Sequence, residues 1–192
     1  TSESQGHGKA IEMDIQKTLG MDDNEIKNMS HTAIHDIPSE KNKSEEPILK
    51  GKNISIKTTC GDCVCCGDAF RFIESMIEGK IIMIIAIWEQ DGDYKKIRKT
   101  CIVDLDKLLE VLRKIGENIE DYKKSVIEYS SLLKKLPNGK IENTEIYKSK
   151  KKEIVEKYPE ISKILKLNPK VDSKTQRRLQ MSFDLRIMKN ID

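Results

Sequence analysis

Residues 81–88, IIMIIAIW, form the longest apolar run in the chain. A bilayer-spanning helix needs roughly 20 residues, so these eight predict a buried β-strand and no membrane anchor. Residues 95–104, KKIRKTCIVD, follow after the turn signal Asp91-Gly92-Asp93. Two strands joined by such a turn predict a β-hairpin at the centre of the fold.

A second apolar alternation lies upstream in the segment NISIKTT, with its strand over residues 54–58. Side chains alternate between the two faces of a strand. Ile54 and Ile56 are therefore predicted on one face, with Ser55 and Lys57 as neighbours on the other.

Between this strand and the N-terminus, residues 39–53 are polar and predict an exposed loop. Residues 31–37, HTAIHDI, predict a strand ended by Pro38. The remaining apolar residues recur mostly at helical spacing. They predict helices over 8–19, 24–29, 69–77, 105–136 with a break at Gly116, and 147–166 with an interruption at Pro159, followed by a last strand over 179–185.

These elements predict an α/β (α+β) fold in which helices flank a mixed central β-sheet. A chain of 192 residues with 37% hydrophobic residues can bury one core, so we expect a single domain over residues 1–192. Residues 1–104 would form the sheet core, and residues 105–192 a helical and basic part.

The N-terminal residues 1–19 mix charge with glycine and have no apolar leader region, so secretion is not expected. Four of the five cysteines fall between Cys60 and Cys66. This crowding differs from the spaced framework of a secreted disulfide scaffold and favours a reducing cytosol. We therefore expect a cytoplasmic protein without a membrane partner.

Charge is distributed unevenly along the chain. Residues 1–78 hold nine Lys and Arg against fourteen Asp and Glu, whereas residues 148–178 hold eleven against four. The acidic first part suits metal ligation, and the basic late part suits a polyanion such as a phosphate backbone. A solvated lysine-rich helix face is the alternative interpretation of the basic part.

Asp36 and Lys57 are the candidate pair for chemistry. Asp36 ends the predicted strand before Pro38, and Lys57 lies 21 residues later on the next strand, so the two can meet at a sheet edge. Hydrolysis of a phosphodiester needs a divalent metal on the phosphoryl oxygen. A lysine beside that metal can orient the attacking water or stabilise the leaving charge.

The residues His35-Asp36-Ile37-Pro38 followed by Ser55-Ile56-Lys57 resemble the PD-(D/E)xK nuclease superfamily, in particular type II restriction endonucleases. The resemblance covers residues 8–104 and adds Glu12, on the first helix, as the expected helical glutamate. It implies a restriction-endonuclease-like sheet fold, with Mg²⁺ held by the acidic residues and the Ile56 carbonyl. The implied activity is sequence-specific cleavage of double-stranded DNA.

The sequence departs from this family pattern at Ser55, which stands where the pattern has an acidic residue two positions before the lysine. Some restriction enzymes resemble this variant, with the glutamate moved onto the following helix. Glu74 is then the first candidate for the missing metal ligand, and Asp68 is the alternative.

DNA contacts are expected in residues 168–184, NPKVDSKTQRRLQMSFD, which also look like the late segment of several restriction enzymes. Arginine pairs with guanine and glutamine with adenine through two hydrogen bonds each. A homodimer is expected because a two-fold partner reads a palindromic site most simply. The candidate DNA-binding residues are Lys170, Lys174, Gln176, Arg177, Arg178 and Gln180.

The segment Cys60-Gly61-Asp62-Cys63-Val64-Cys65-Cys66 allows three other interpretations. Its Cys-x-x-Cys spacing is half of a structural zinc site, which would need either all four cysteines within these seven residues or help from His31 and His35 upstream. It also fits small buried side chains at a strand-to-helix junction, or a redox pair. The alternative function is accordingly a non-catalytic DNA-binding or zinc-containing protein that uses the basic C-terminal region.

Overall fold

The computed structural model describes residues 2–29, 35–136, 145–171 and 177–188. These residues form a mixed α and β protein, in agreement with the predicted fold class. The helices are α1 (Ser2–Thr18), α2 (Asp23–Asn28), α3 (Ala69–Glu78), α4 (Leu105–Lys114), α5 (Ile119–Lys135), α6 (Glu145–Lys157), α7 (Pro159–Ile164) and α8 (Leu185–Met188). The strands are β1 (Asn53–Thr59), β2 (Cys63–Asp68), β3 (Ile81–Asp91), β4 (Tyr94–Asp104), β5 (Lys166–Lys170) and β6 (Arg178–Asp184).

Two compact units make up the chain. The first comprises Thr1–Val64 and Glu78–Asp106, and the second comprises Cys65–Ile77 and Lys107–Asp192. The described strands form two three-stranded sheets, in the orders β1-β3-β4 and β2-β6-β5, where the sequence predicts one central sheet. The single domain expected from chain length stays a prediction.

The sheet of the first unit is mixed. β1 runs parallel to β3, with Lys57 in register with Ile85, and β3 runs antiparallel to β4. The predicted hairpin is confirmed: its turn is Gly92-Asp93, and Gly92 adopts a φ of 58°, a left-handed conformation that glycine accepts readily. Residues 81–87 of β3 are all buried, which explains their unbroken apolar sequence.

The core of the first unit lies on the Ile54 face of β1. Ile54 and Ile56 are buried there together with Ile82 and Ile84 of β3, and the predicted alternation along β1 is confirmed. Ile15 of α1, Ile26 of α2 and the residues that follow these helices, Leu19 and Met29, pack against this cluster with partly buried side chains. α2 begins with a capping box, in which Asp22 and Glu25 each accept a hydrogen bond from the other's backbone N–H.

In the second unit, α5 packs against α6 and β6. α5 begins at the N-cap Asn118, whose side chain accepts hydrogen bonds from the N–H groups of Glu120 and Asp121. Its buried Tyr122 meets the Tyr158 ring edge to face, with centroids 5.4 Å apart. Burial raises the pKa of the Tyr122 hydroxyl, which donates a 3.4 Å hydrogen bond to the Leu165 carbonyl.

The helix breaks predicted from sequence are confirmed. Gly116, with a φ of 87°, lies between α4 and α5. Pro159 stands at the start of α7, where its missing N–H is tolerated, and so separates α7 from α6. Among the described residues, none of the helices is both long and apolar enough to cross a membrane.

Two strands were not predicted. The interpretation of the cysteine segment as small buried side chains at a strand-to-helix junction is only partly right: Cys63–Asp68 form a strand, β2, that leads into α3, and Val64 and Cys66 are buried while Cys63 and Cys65 are exposed. Lys166–Lys170 form β5, although Lys166 was expected to end a helix and Pro169 disfavours a strand interior. Pro169 is tolerated because β5 is an edge strand.

The strand predicted over residues 31–37 falls largely outside the described residues. Its last residue, Ile37, forms an isolated antiparallel bridge with Ile54. This bridge is enough to fix the position of the neighbouring Asp36.

Candidate active site

Asp36 is held at the edge of β1 that is not paired with β3. The backbone N–H groups of Asp36 and Ile37 both donate to the Ile54 carbonyl at 3.0 Å, and Ile54 N–H donates to the Ile37 carbonyl at 2.8 Å. Ile37 is fully buried in the core cluster. Its burial therefore anchors the segment while Asp36, the residue before it, points to the polar side.

The Asp36 carboxylate contacts three consecutive residues of β1 through one oxygen. Oδ2 accepts a hydrogen bond from Ile56 N–H at 2.5 Å and one from the Ser55 hydroxyl at 3.3 Å. Lys57 Nζ lies 3.6 Å from the same oxygen. The side chains of Asp36 and Lys57 are 24% and 28% exposed, so the pair is shielded but open to solvent.

Glu12 approaches the same place from α1. Burial raises the pKa of its carboxyl most strongly, and the negative charge of Asp36 raises it further, while Lys57 and Lys9 lower it. Glu12 thus lies within electrostatic range of both Asp36 and Lys57. Two carboxylates and one ammonium group share a half-buried environment.

Gln16 belongs to this arrangement and was missed by sequence reasoning. It is only 3% exposed, and its Nε2 donates a 2.8 Å hydrogen bond to the Asp36 carbonyl. Gln16 lies one helical turn after Glu12 and therefore on the same face of α1. Its spacing of four positions from Glu12 was the signal that could have identified it.

The Ile56 carbonyl lies on the same strand edge. In a β-strand, the N–H and C=O of one residue point to the same edge. Because Ile56 N–H binds Asp36, its carbonyl is also directed away from β3 and toward the Asp36 side. The structure therefore brings together Glu12, Asp36, Ser55, Ile56 and Lys57.

The donor atoms at this site fit Mg²⁺, which prefers oxygen ligands and is commonly held by one or two carboxylates together with water. Glu12, Asp36 and the Ile56 carbonyl would supply such oxygens. In the part of the chain that the structure describes, no group of three His, Cys, Asp or Glu side chains is arranged to hold a metal ion. At this edge of β1 the candidate side-chain ligands are the carboxylates of Glu12 and Asp36.

The two proposed replacements for the acidic residue at Ser55 have contacts within the second unit. Glu74 of α3 pairs with Lys123 of α5 at 3.5 Å. Asp68 accepts a 3.0 Å hydrogen bond from Arg71 N–H and so caps the first turn of α3. Their role as replacement metal ligands stays a prediction.

His35, which precedes Asp36, is partly buried. Burial lowers the pKa of its imidazole, and the nearby Asp36, Glu78 and Glu40 oppose this shift. The neutral ring is thereby favoured at neutral pH. His31, the other histidine considered for a zinc site, lies outside the described residues.

Among the described residues, the cysteines between Cys60 and Cys66 are not arranged as a metal site. Cys60, Cys63 and Cys65 are exposed and Cys66 is buried, and within the described part of the chain none of the four forms a disulfide. Thr59 closes the turn between β1 and β2 by a 2.9 Å hydrogen bond from its hydroxyl to the Cys63 carbonyl. Zinc binding there stays a prediction.

The predicted DNA-binding residues lie partly outside and partly inside the described part of the chain. Lys174 and Gln176 lie outside the described residues. Lys170 and Arg178 are exposed and in register across β5 and β6, and Gln180 lies beside Arg178 on β6. Arg177 is 7% exposed, and its guanidinium donates a hydrogen bond to the carbonyl of Val171, the residue after β5.

Comparison of the chain with family models, curated proteins and solved structures gave no significant match.

Proposed function

We propose that the chain is a Mg²⁺-dependent, sequence-specific double-strand DNA endonuclease of the type II restriction kind. The observation that carries this proposal is the Asp36–Lys57 pair, 3.6 Å apart at the free edge of β1, together with Glu12 of α1, whose carboxyl pKa responds to both charges. The order of these residues, with a glutamate on a helix, an aspartate beside a strand and a lysine on the strand, supports a restriction-endonuclease-like arrangement of the first unit.

Each residue has a role in this proposal. Glu12, Asp36 and the Ile56 carbonyl would hold Mg²⁺, which when bound supplies positive charge to the scissile phosphate. Lys57 would orient the attacking water and stabilise charge on the phosphate. Hydrolysis adds the water oxygen to phosphorus and releases one ester oxygen, which takes up a proton. Ser55 donates to Asp36 and keeps its carboxylate directed along the strand edge.

The absent acidic residue at position 55 leaves the site with fewer negative charges than the family pattern. Fewer carboxylates imply weaker metal binding, so we expect activity to need millimolar rather than micromolar Mg²⁺. Recognition of a palindromic DNA site by a homodimer in the cytoplasm completes the proposal.

The test is a cleavage assay on supercoiled plasmid DNA with MgCl₂ and with EDTA. We expect discrete linear fragments that disappear in EDTA, and no cleavage by Asp36→Ala or Lys57→Ala. Lys52 and Asp106 form a matched control pair in the same unit, with side chains 25% and 34% exposed. Their alanine variants are expected to cut.

Intact plasmid with folded wild-type protein across varied DNA sequences would contradict the endonuclease. DNA binding without cutting would instead favour the non-catalytic alternative. Full cleavage by either Asp36→Ala or Lys57→Ala would remove these residues from the active site.

A further inference from the structure

The hairpin of the first unit carries a basic segment that the sequence analysis did not assign. Four of the five residues from Lys95 to Lys99 on β4 are basic, and Lys96–Lys99 are all exposed. Lys95 is used locally, since its Nζ lies 4.0 Å from the centre of the Trp88 ring. The remaining cations, Lys96, Arg98 and Lys99, form what we call the basic ribbon.

The basic ribbon differs from the lysines of α6 in its ion pairing. Lys150 pairs with Glu128 and Glu153, and Lys152 lies 3.7 Å from Glu156. None of the salt bridges found among the described residues includes Lys96, Arg98 or Lys99. The charge of the ribbon is therefore available to a partner, whereas much of the charge on α6 is neutralised within the protein.

A β-bulge concentrates this charge on one face. Ile87 pairs with Lys99 and Trp88 pairs with Ile97, so Arg98 is the extra residue of β4. Arg98 and Lys99 thus oppose the single residue Ile87. A bulge redirects side chains and increases the local twist, and here it brings two cations together.

The register places Lys99 on the sheet face that carries Lys57. Lys57 aligns with Ile85, and two residues further along, Thr59 aligns with Ile87 and hence with Lys99. Residues two apart on a strand share a face. Strand spacing and rise give a separation of about 12 Å between the Cα atoms of Lys57 and Lys99, about the width of a DNA major groove.

We propose that Lys96, Arg98 and Lys99 bind the phosphate backbone of the DNA duplex whose cleavage we assign to Asp36 and Lys57. This inference rests on the proposed function, because it names the surface that holds the substrate of that site. Tyr94, 78% exposed near the hairpin turn, and Ile97, 43% exposed, add apolar contact area next to the cations.

A second copy of the chain is a less suitable occupant of this edge. β4 is an edge strand, and lysine-rich edges oppose strand pairing because like charges would lie opposite each other. Glu89 lies opposite Lys96 and reduces the local positive charge. Removal of its charge should therefore strengthen binding of a polyanion.

The test is fluorescence anisotropy with a labelled DNA duplex in EDTA, so that binding is measured without cleavage. We expect the Lys96→Gln, Arg98→Gln, Lys99→Gln triple variant to bind at least about tenfold more weakly at low salt. The slope of log K against log salt concentration should fall in magnitude by about 2 to 3, since each phosphate contact contributes about 0.9. Glu89→Gln should bind more tightly.

Two matched variants control for loss of charge and for misfolding. The first control, Lys96→Arg, Arg98→Lys and Lys99→Arg, changes the residue types and keeps all three positive charges, so it should preserve the slope of log K against log salt concentration. The second control, which removes three lysines that are already ion-paired, should bind like the wild type; it combines Lys124→Gln, Lys152→Gln and Lys163→Gln.

Equal losses in the ribbon and control triple variants would overturn the inference, as would equally tight binding of polyglutamate or a change in oligomeric state without a change in DNA binding. If wild type cuts plasmid while the ribbon variant binds and cuts like it, the inference fails and the nuclease stands. If wild type never cuts but ribbon variants lose DNA binding, the nuclease fails and the DNA surface stands.

Discussion

Two lysine–aspartate pairs flank β1 and differ in how their aspartates are used. At the start of the strand, Lys52 Nζ lies 2.7 Å from Asp106 Oδ2, and Asp106 Oδ1 accepts a 2.8 Å hydrogen bond from Lys80 N–H. Further along, Lys57 lies 3.6 Å from Asp36 Oδ2, which also takes the Ile56 and Ser55 contacts. In the part of the chain described, Asp36 Oδ1 accepts no hydrogen bond.

This difference separates a structural ion pair from a candidate reactive one. Both oxygens of Asp106 have partners, and the hydrogen bond to Asp106 raises the pKa of Lys52. Asp36 instead shares its surroundings with Glu12, whose burial and proximity to Asp36 disfavour its charged form. Repulsion between two carboxylates is relieved by a bound cation, which the Lys52 pair does not need.

The largest expected difference between the two pairs is in the rate of DNA cleavage. Lys57→Met should lower plasmid cleavage by about 100-fold or more, the range for loss of a positioned proton-transfer group. Lys52→Met should change it by less than about threefold, because that ammonium group only holds Asp106. Initial rates of supercoil loss measure both, and similar rates for the two variants would erase the distinction.

In protein stability we expect the opposite order, with Asp106 contributing more than Asp36. Asp106→Ala should cost about 1–2 kcal/mol, because Lys80 N–H and the Lys52 ammonium lose their acceptor. Asp36→Ala should lower the free energy of unfolding by less than about 1 kcal/mol, because loss of the Ile56 hydrogen bond is offset by removal of the repulsion between Asp36 and Glu12. Urea unfolding at neutral pH gives both values. A larger loss from Asp36→Ala would make its pair the structural one.

A third, smaller effect concerns the metal. Mg²⁺ at ten times its dissociation constant should stabilise the wild type by about 1.4 kcal/mol. The increase in melting temperature should vanish in Asp36→Ala and persist in Asp106→Ala. Calcium can replace Mg²⁺ in this measurement if DNA is present. An equal shift in both variants would place the metal elsewhere.

The smallest effect is the pH dependence contributed by Glu12. Its pKa is raised in the folded state, so its full contribution to stability is present at low pH and falls as pH rises from the ordinary glutamate value through the raised one. The Glu12→Gln variant should lack this fall, so its stability relative to the wild type should be higher at neutral pH than at low pH. Unfolding free energies between pH 4 and 8 test this. Asp14→Asn, on an exposed position of α1, is the control and should keep the wild-type profile.

Periodic patterns were sufficient for much of the first unit. Alternation at period two placed Ile54 in the core and Lys57 opposite it, and the turn at Gly92 predicted the β3–β4 hairpin. The meeting of Asp36 with Lys57 followed from strand order and loop length. These features depend on local spacing, which a sequence displays directly.

Other features depend on distant partners and were not predictable in this way. β2 has three cysteines and a single β-branched residue, Val64, and it becomes a strand through pairing with β6. The 3.5 Å contact of Glu74 with Lys123, 49 residues later, could not be predicted from local spacing, and the role of Glu74 as a metal ligand stays a prediction. The net charge of +7 over residues 148–178 also overestimates the positive charge available to a partner, because Lys150 and Lys152 are ion-paired within the protein.

The interleaved order of the two units has a consequence for synthesis on the ribosome. Residues 65–77 interrupt the first unit in sequence but belong to the second. The β1-β3-β4 sheet is complete once residue 104 has emerged, whereas β2 must await β6, more than 100 residues later in the chain. Translation therefore leaves a cysteine-bearing strand without its hydrogen-bonding neighbour until more than 100 further residues have been made. A fragment cut after residue 106 would keep that strand permanently unpaired, so the first unit is best dissected by joining residue 64 to residue 78 through a short linker.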